Sequence, residues 1–154
     1  MVEVSVLKLL AFFRPFTEDE MKVLGNKMLF TEFREQETIF RENQIGDDSM
    51  YVIIDGSIKI TKKTNSGEKT LASLKNGDFF GEMSMLLPAP RSASAITLKP
   101  CRLLQLLDAD YNAFKRDHPS ITVKLNEIFL KELIQRLRDA DRRLVKDGHG
   151  IGAL

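Results

Sequence analysis

The chain predicts an α+β fold that is mainly β, with helices before and after a middle of short strands. Three observations carry this. Thr17-Glu18-Asp19-Glu20 forms a capping box, and apolar Met21, Leu24, Met28 and Leu29 follow at helical spacing. From Phe30 to Leu107 the pattern becomes short alternating runs broken by turn residues. After His118-Pro119, residues Ile121, Leu125, Ile128, Phe129, Leu133, Leu137 and Leu144 recur as one helical stripe.

Each element follows in order. A short helix is expected from Val4 to Phe12, ended by Pro15, and a second from Glu18 to Leu29. Thr38 to Phe40, Met50 to Asp55, Ser57 to Lys62, Thr70 to Leu74 and Arg102 to Leu107 read as strands. Gly46-Asp47, Asp55-Gly56, Asn65-Ser66-Gly67, Asn76-Gly77 and Lys99-Pro100 read as turns. Strands this short and this closely spaced suggest a sandwich, jelly roll or barrel. Asp108-Ala109-Asp110 starts a helix with Tyr111 and Phe114, and Ser120 is placed to cap the long helix after it. Gly148 to Leu154 reads as a flexible tail.

With 154 residues the chain suits one domain able to bury a core unaided. Lys and Arg number 23 against 22 Asp and Glu, a net charge of +1, which disfavours broad electrostatic capture of nucleic acid or anionic membrane. An anionic ligand must then be held locally. No secretory signal or membrane-length apolar run is seen, so a cytoplasmic location is expected. Cys101, the only cysteine, reads as a small hydrophobe in a strand. His118 and His149 stand far apart with no cysteine partner, so no metal site is expected, and no nucleophile–base set stands out.

The segment from Phe79 to Ala95 carries the chemistry. Gly81 permits a tight turn and close ligand approach, and Glu82 to Leu87 can form one or two helical turns whose first amides lack partners. Such a terminus attracts anions. Glu82 would repel a phosphate but can accept a hydrogen bond from a sugar hydroxyl. Pro88 and Pro90 stop the helix and turn the chain back, bringing Arg91, whose planar fork suits two phosphate oxygens. Ser92 can add a hydrogen bond, while Ala93, Ser94 and Ala95 leave room. A carboxylate and a guanidinium so arranged fit a nucleotide whose sugar and phosphate lie close together.

This run resembles the phosphate-binding cassette of the cyclic nucleotide-binding domain family: Phe-Gly-Glu, an apolar helix, then Arg and small residues. Asp47 to Gly56, Leu74 to Glu82 and His118-Pro119 resemble further family segments. The resemblance implies an antiparallel β jelly roll (double-stranded β-helix) as a single domain over 1–147. Its parts are N-terminal helices 1–29, a roll 30–107 with the cassette at 79–95, and lid helices 108–147. It implies that Glu82 binds the ribose 2′-hydroxyl, that Gly81 and Ser84 meet the ligand through their backbone, and that Arg91 neutralises the cyclic phosphate with help from Ser92. Phe80, Met83 and Ala93 complete the candidate contact set, although Met83, Met85, Leu86 and Leu87 read first as core packing of the cassette helix. Leu133, Arg136 and Leu137 are candidate lid residues over the base. The basic run Arg136, Arg138, Arg142, Arg143 and Lys146, interspersed with Asp139, Asp141 and Asp147, reads as a solvated face.

Three departures are visible. Gln36 and Asn43 replace turn glycines, and Ser94-Ala95 replaces Thr-Val. The implied function is a non-catalytic sensor, with no cofactor, that binds cAMP and signals through its final helix to an effector protein or domain. Ser92 stands where threonine accompanies cGMP, so cGMP stays open. A monomer is expected over a dimer. The rival readings are a degenerate jelly roll that docks protein without nucleotide, and a metal-dependent cupin enzyme.

Overall fold

The computed structural model describes residues 1–146 and 148. Two helices open it, α1 (Val4–Leu7) and α2 (Glu18–Lys27), with a 3-10 turn at Ala11–Phe13 between them. Strands β1 (Leu29–Phe33), β2 (Thr38–Phe40), β3 (Met50–Asp55), β4 (Ser57–Thr64), β5 (Gly67–Lys75) and β6 (Phe79–Phe80) follow. Then come α3 (Glu82–Leu86), β7 (Ser94–Thr97), β8 (Cys101–Leu106), α4 (Asp108–Asp117) and α5 (Pro119–Lys146). The strands form two four-stranded sheets, ordered β1-β8-β3-β6 and β2-β7-β4-β5, with antiparallel pairing throughout. This is the expected helix-flanked, mainly β roll. The tail expected over 148–154 lies, apart from Gly148, outside the described residues, as do Asp147 and His149.

Both faces of the central strands are buried, and each face has its own core. Alternate side chains point to opposite faces of a strand. In β3, Met50 and Val52 therefore join the helices, while Tyr51 and Ile53 fill the roll. In β8, Leu104 and Leu106 face the helices, whereas Cys101 and Leu103 face inward. The helical layer adds Phe12, Phe13, Tyr111, Phe114, Ile121, Leu125 and Phe129. Full burial of each such side chain contributes about 1.5–3 kcal/mol. The Cys101 thiol donates to the Lys99 carbonyl at 3.1 Å, and burial pushes its pKa up. A Cβ on Gly56 would lie 2.4 Å from Cys101 Sγ, so glycine is required where β3 turns into β4.

The capping box forms as expected. Thr17 N donates to Glu20 Oε1 at 2.8 Å, and Glu20 N donates to Thr17 Oγ1 at 3.1 Å. The helix expected over Val4 to Phe12 instead breaks at Leu10, whose φ of −105° and ψ of 128° are extended, and a 3-10 turn follows. Three strands were not expected. β1 leaves Leu29 and Phe30 exposed, β6 has two residues, and β7 is a short, partly polar Ser-Ala-Ile-Thr. β7 alternates in burial, but its buried positions are Ala95 and Thr97, so none of the three shows the apolar–polar alternation that marks a strand in sequence. Ser120 does not cap α5. That helix begins at Pro119, whose missing amide costs nothing in the first turn, and Ser120 Oγ donates to Glu20 Oε2 at 2.8 Å.

Only the first half of the expected α5 stripe is core. Ile121, Leu125 and Phe129 are buried, whereas Leu137 and Leu144 are about half exposed. Beyond Phe129 the helix turns a different set of residues toward the roll.

Candidate functional site

The two residues singled out in the cassette are brought together by one tight turn. β6 ends at Phe80, and Gly81 takes the left-handed φ of +87°. A Cβ there would lie 2.8 Å from the Ser49 carbonyl oxygen and 3.2 Å from Arg91 Nη1, so only glycine lets these groups approach. α3 follows with five residues. It is little more than one turn long. Ser84, buried in α3, donates from Oγ to the Ala89 carbonyl at 3.5 Å, which ties α3 to the returning strand.

Arg91 is 2% exposed. Its backbone is clamped by the loop after β2: Arg91 N donates to the Gln44 carbonyl at 2.9 Å, and Asn43 N donates to the Arg91 carbonyl at 2.7 Å. The guanidinium donates from Nη1 to the Gly81 carbonyl at 3.0 Å and from Nη2 to the Ser49 carbonyl at 2.7 Å. Asp47 Oδ1 stands 3.6 Å from Nη2, and the Phe40 ring centroid lies 4.0 Å from the guanidinium carbon. Nε has no hydrogen-bond partner although it is buried. Buried donors are rarely left unpaired in folded proteins, and each such case calls for an explanation.

Glu82 is 1% exposed. Its Oε1 accepts from Arg136 Nη1 of α5 at 2.9 Å, and Arg136 Nε also donates to Glu132 Oε1 at 3.1 Å. Burial pushes the Glu82 carboxyl above its ordinary value, against the opposing pull of Arg136. The basic run is therefore not wholly a solvated face, because Arg136 turns inward to a buried carboxylate.

These groups line a cavity of about 520 Å³. Phe80, Gly81, Glu82, Met83, Ser84, Arg91, Ser92 and Ala93 all lie on its wall. Of the three lid candidates, Arg136 lines it, whereas Leu133 and Leu137 do not. The residues on the cavity are Glu132, Arg136, Asp139, Ala140 and Arg143, the helical face one position away. The apolar stripe left the helical phase open; the spacing from 132 to 136 to 139 and 143 is equally helical but polar. Met83 and Leu87 are 51% and 74% exposed, so of the four expected packing residues only Met85 is fully core. Phe40, Ile60, Leu71, Ala72 and Leu74 form the apolar wall opposite α5. Phe40 lies in β2 and the other four in the β4–β5 hairpin; their apolar strand character was visible in sequence but marked no site. Among the described residues no group of three His, Cys, Asp or Glu could hold a metal, and no helix is long and apolar enough to cross a membrane.

Comparison with known proteins agrees with this geometry. The family model of the cyclic nucleotide-binding domain matches residues 30–118, and the chain belongs to that family. It is 36% identical over 107 residues to the cyclic AMP receptor protein of Thermus thermophilus, covering 69% of this chain and 47% of that protein. It is 28% identical over 141 residues to a CRP-like cAMP-activated global transcriptional regulator of Mycobacterium tuberculosis, covering 91% and 61%. The crystal structure of Thermus thermophilus catabolite activator protein superposes with a TM-score of 0.75 at 30% identity, over 89% of this chain and 62% of that one. The chain thus spans from about half to three-fifths of these relatives' length.

Proposed function

We propose that this chain is a non-catalytic sensor that binds a cyclic nucleotide, with cAMP preferred over cGMP, and passes the signal on through α5. The observation that carries the reading is Arg91: a buried guanidinium on the cavity wall with one donor, Nε, left without a partner. Its other contacts are two neutral carbonyls, the Phe40 ring and the Asp47 carboxylate at 3.6 Å, so an anionic phosphodiester would supply the missing acceptor and a second anionic partner. Glu82, on the same wall, is suited to the sugar hydroxyl, and the apolar side made by Ile60, Leu71 and Leu74 suits a base. Ser92 in place of threonine supports cAMP, as do relatives named for cAMP.

The route to α5 follows from strand alternation. Phe80 faces the roll, stacking on Tyr51 at 5.2 Å. The preceding Phe79 faces the helices, 5.3 Å from Phe12 and 5.7 Å from Phe129 of α5. A shift of the cassette around a bound phosphate would therefore move a ring packed on α5, and a ligand that favours one pose of α5 shifts its population. An effector protein or domain would read that pose. The cytoplasm, where cyclic nucleotides are made and sensed, is the proposed location.

Calorimetric titration with cAMP and cGMP tests this directly. Saturable binding of one molecule per chain, tighter for cAMP, is expected; no heat and no thermal shift with either nucleotide would contradict it and favour a docking role without nucleotide.

A further inference from the structure

Resting on the assignment of Glu82 to the sugar hydroxyl, we infer that Arg136 is a resident competitor of the ligand, a latch from α5 that must leave Glu82 before the sugar can bond to it. Only 1% of Glu82 is open to solvent, so a hydroxyl has no more room to reach its carboxylate than water has. Arg136 Nη1 lies on the carboxylate at 2.9 Å. α5 projects Arg136 into the same cavity as Arg91 and Ser92, so guanidinium and 2′-hydroxyl contend for one carboxylate.

Arg136 has a second partner to fall back on. Its Nε already donates to Glu132, one turn earlier on α5, at 3.1 Å, and its side chain is 40% exposed. Releasing Glu82 therefore leaves the guanidinium paired and hydrated, which keeps the exchange close to balanced. Glu82 in turn trades a cation for a hydroxyl donor. The latch thus has two satisfied states, one with α5 fastened to the cassette and one with the sugar in its place. A ligand with a 2′-hydroxyl favours the second. This gives the hydroxyl a role in signalling: it is the part of the ligand that unfastens α5, while Arg91 supplies the affinity.

The sign of the effect separates this from a lid that closes over the ligand. Binding of cAMP and of 2′-deoxy-cAMP is measured by calorimetry for the parent and for Arg136→Gln. The latch predicts that Arg136→Gln tightens cAMP by roughly three- to tenfold, leaves 2′-deoxy-cAMP nearly unchanged, and so widens the preference for the ribonucleotide. Weaker cAMP binding in the variant would show Arg136 to be a ligand contact and overturn the latch. Equal effects on both nucleotides would overturn it too, since the competition would not involve the hydroxyl. Arg136→Lys keeps a cation near Glu82 and covers the case in which Arg136→Gln fails to fold; the same change in smaller measure is expected. If neither nucleotide binds parent or variant, the cyclic-nucleotide reading itself fails, an outcome distinct from the others.

Discussion

At the scale of single residues, left-handed backbone and buried charge explain most of what departs from local preference. Gln36 and Asn43 have φ of 59° and 69°, a region where side chains other than glycine are strained. Asn43 is placed there because its amide holds the Arg91 carbonyl, and asparagine tolerates the conformation. Gln36 has no such excuse; its amide donates to the Thr97 carbonyl, a bond that glycine would keep. Gln36→Gly should therefore raise stability by up to about 1 kcal/mol, read as a higher urea midpoint with unchanged slope. A lower midpoint would show the glutamine side chain to be contributing more than its strain costs. The αL demand was legible in the sequence at these two positions, because family glycines mark it. The Glu82–Arg136 pair was not: it joins residues far apart in the chain, and no local pattern links them.

Among elements, the joint between α2 and α5 is held by one carboxylate. Burial alone would raise the pKa of Glu20, but hydrogen bonds from Lys124, the Thr17 amide and Ser120 bring it down from 4.5 to about 2. The folded chain thus holds this proton less tightly than the unfolded chain. As pH falls from about 4.5 to about 2, the unfolded state takes up the proton first and stability is lost. The loss is held to about 1 kcal/mol by solvent screening. Glu20→Gln should be less stable than the parent at pH 7, with the gap closing toward pH 2; a constant gap would mean that the carboxylate charge does not matter. The strands show why sequence patterns succeed and fail. β3 and β4 were evident because Met50 to Ile54 form an apolar run and a glycine turn follows. β1, β6 and β7 were hidden, since what places them is pairing with β8, β3 and β4 rather than any pattern of their own.

Over the whole molecule, two cores share the central strands, and the cassette touches both through adjacent residues, Phe79 and Phe80. Removing one ring should therefore separate stability from ligand affinity. Phe129→Ala, on the helical side, is expected to cost about 3–5 kcal/mol of stability. It should also abolish any ligand-dependent change in hydrogen exchange along α5, while leaving the contacts of Arg91 in place. Retained exchange changes in α5 would mean that the signal takes another route. If Arg91 receives a cyclic phosphodiester, as proposed, its loss must show in affinity, measured for cAMP with Arg91→Ala and the parent in one calorimetric series. A loss of about 2–5 kcal/mol, on the order of two or three powers of ten in Kd, is predicted. Equal affinity in a folded variant would contradict the account.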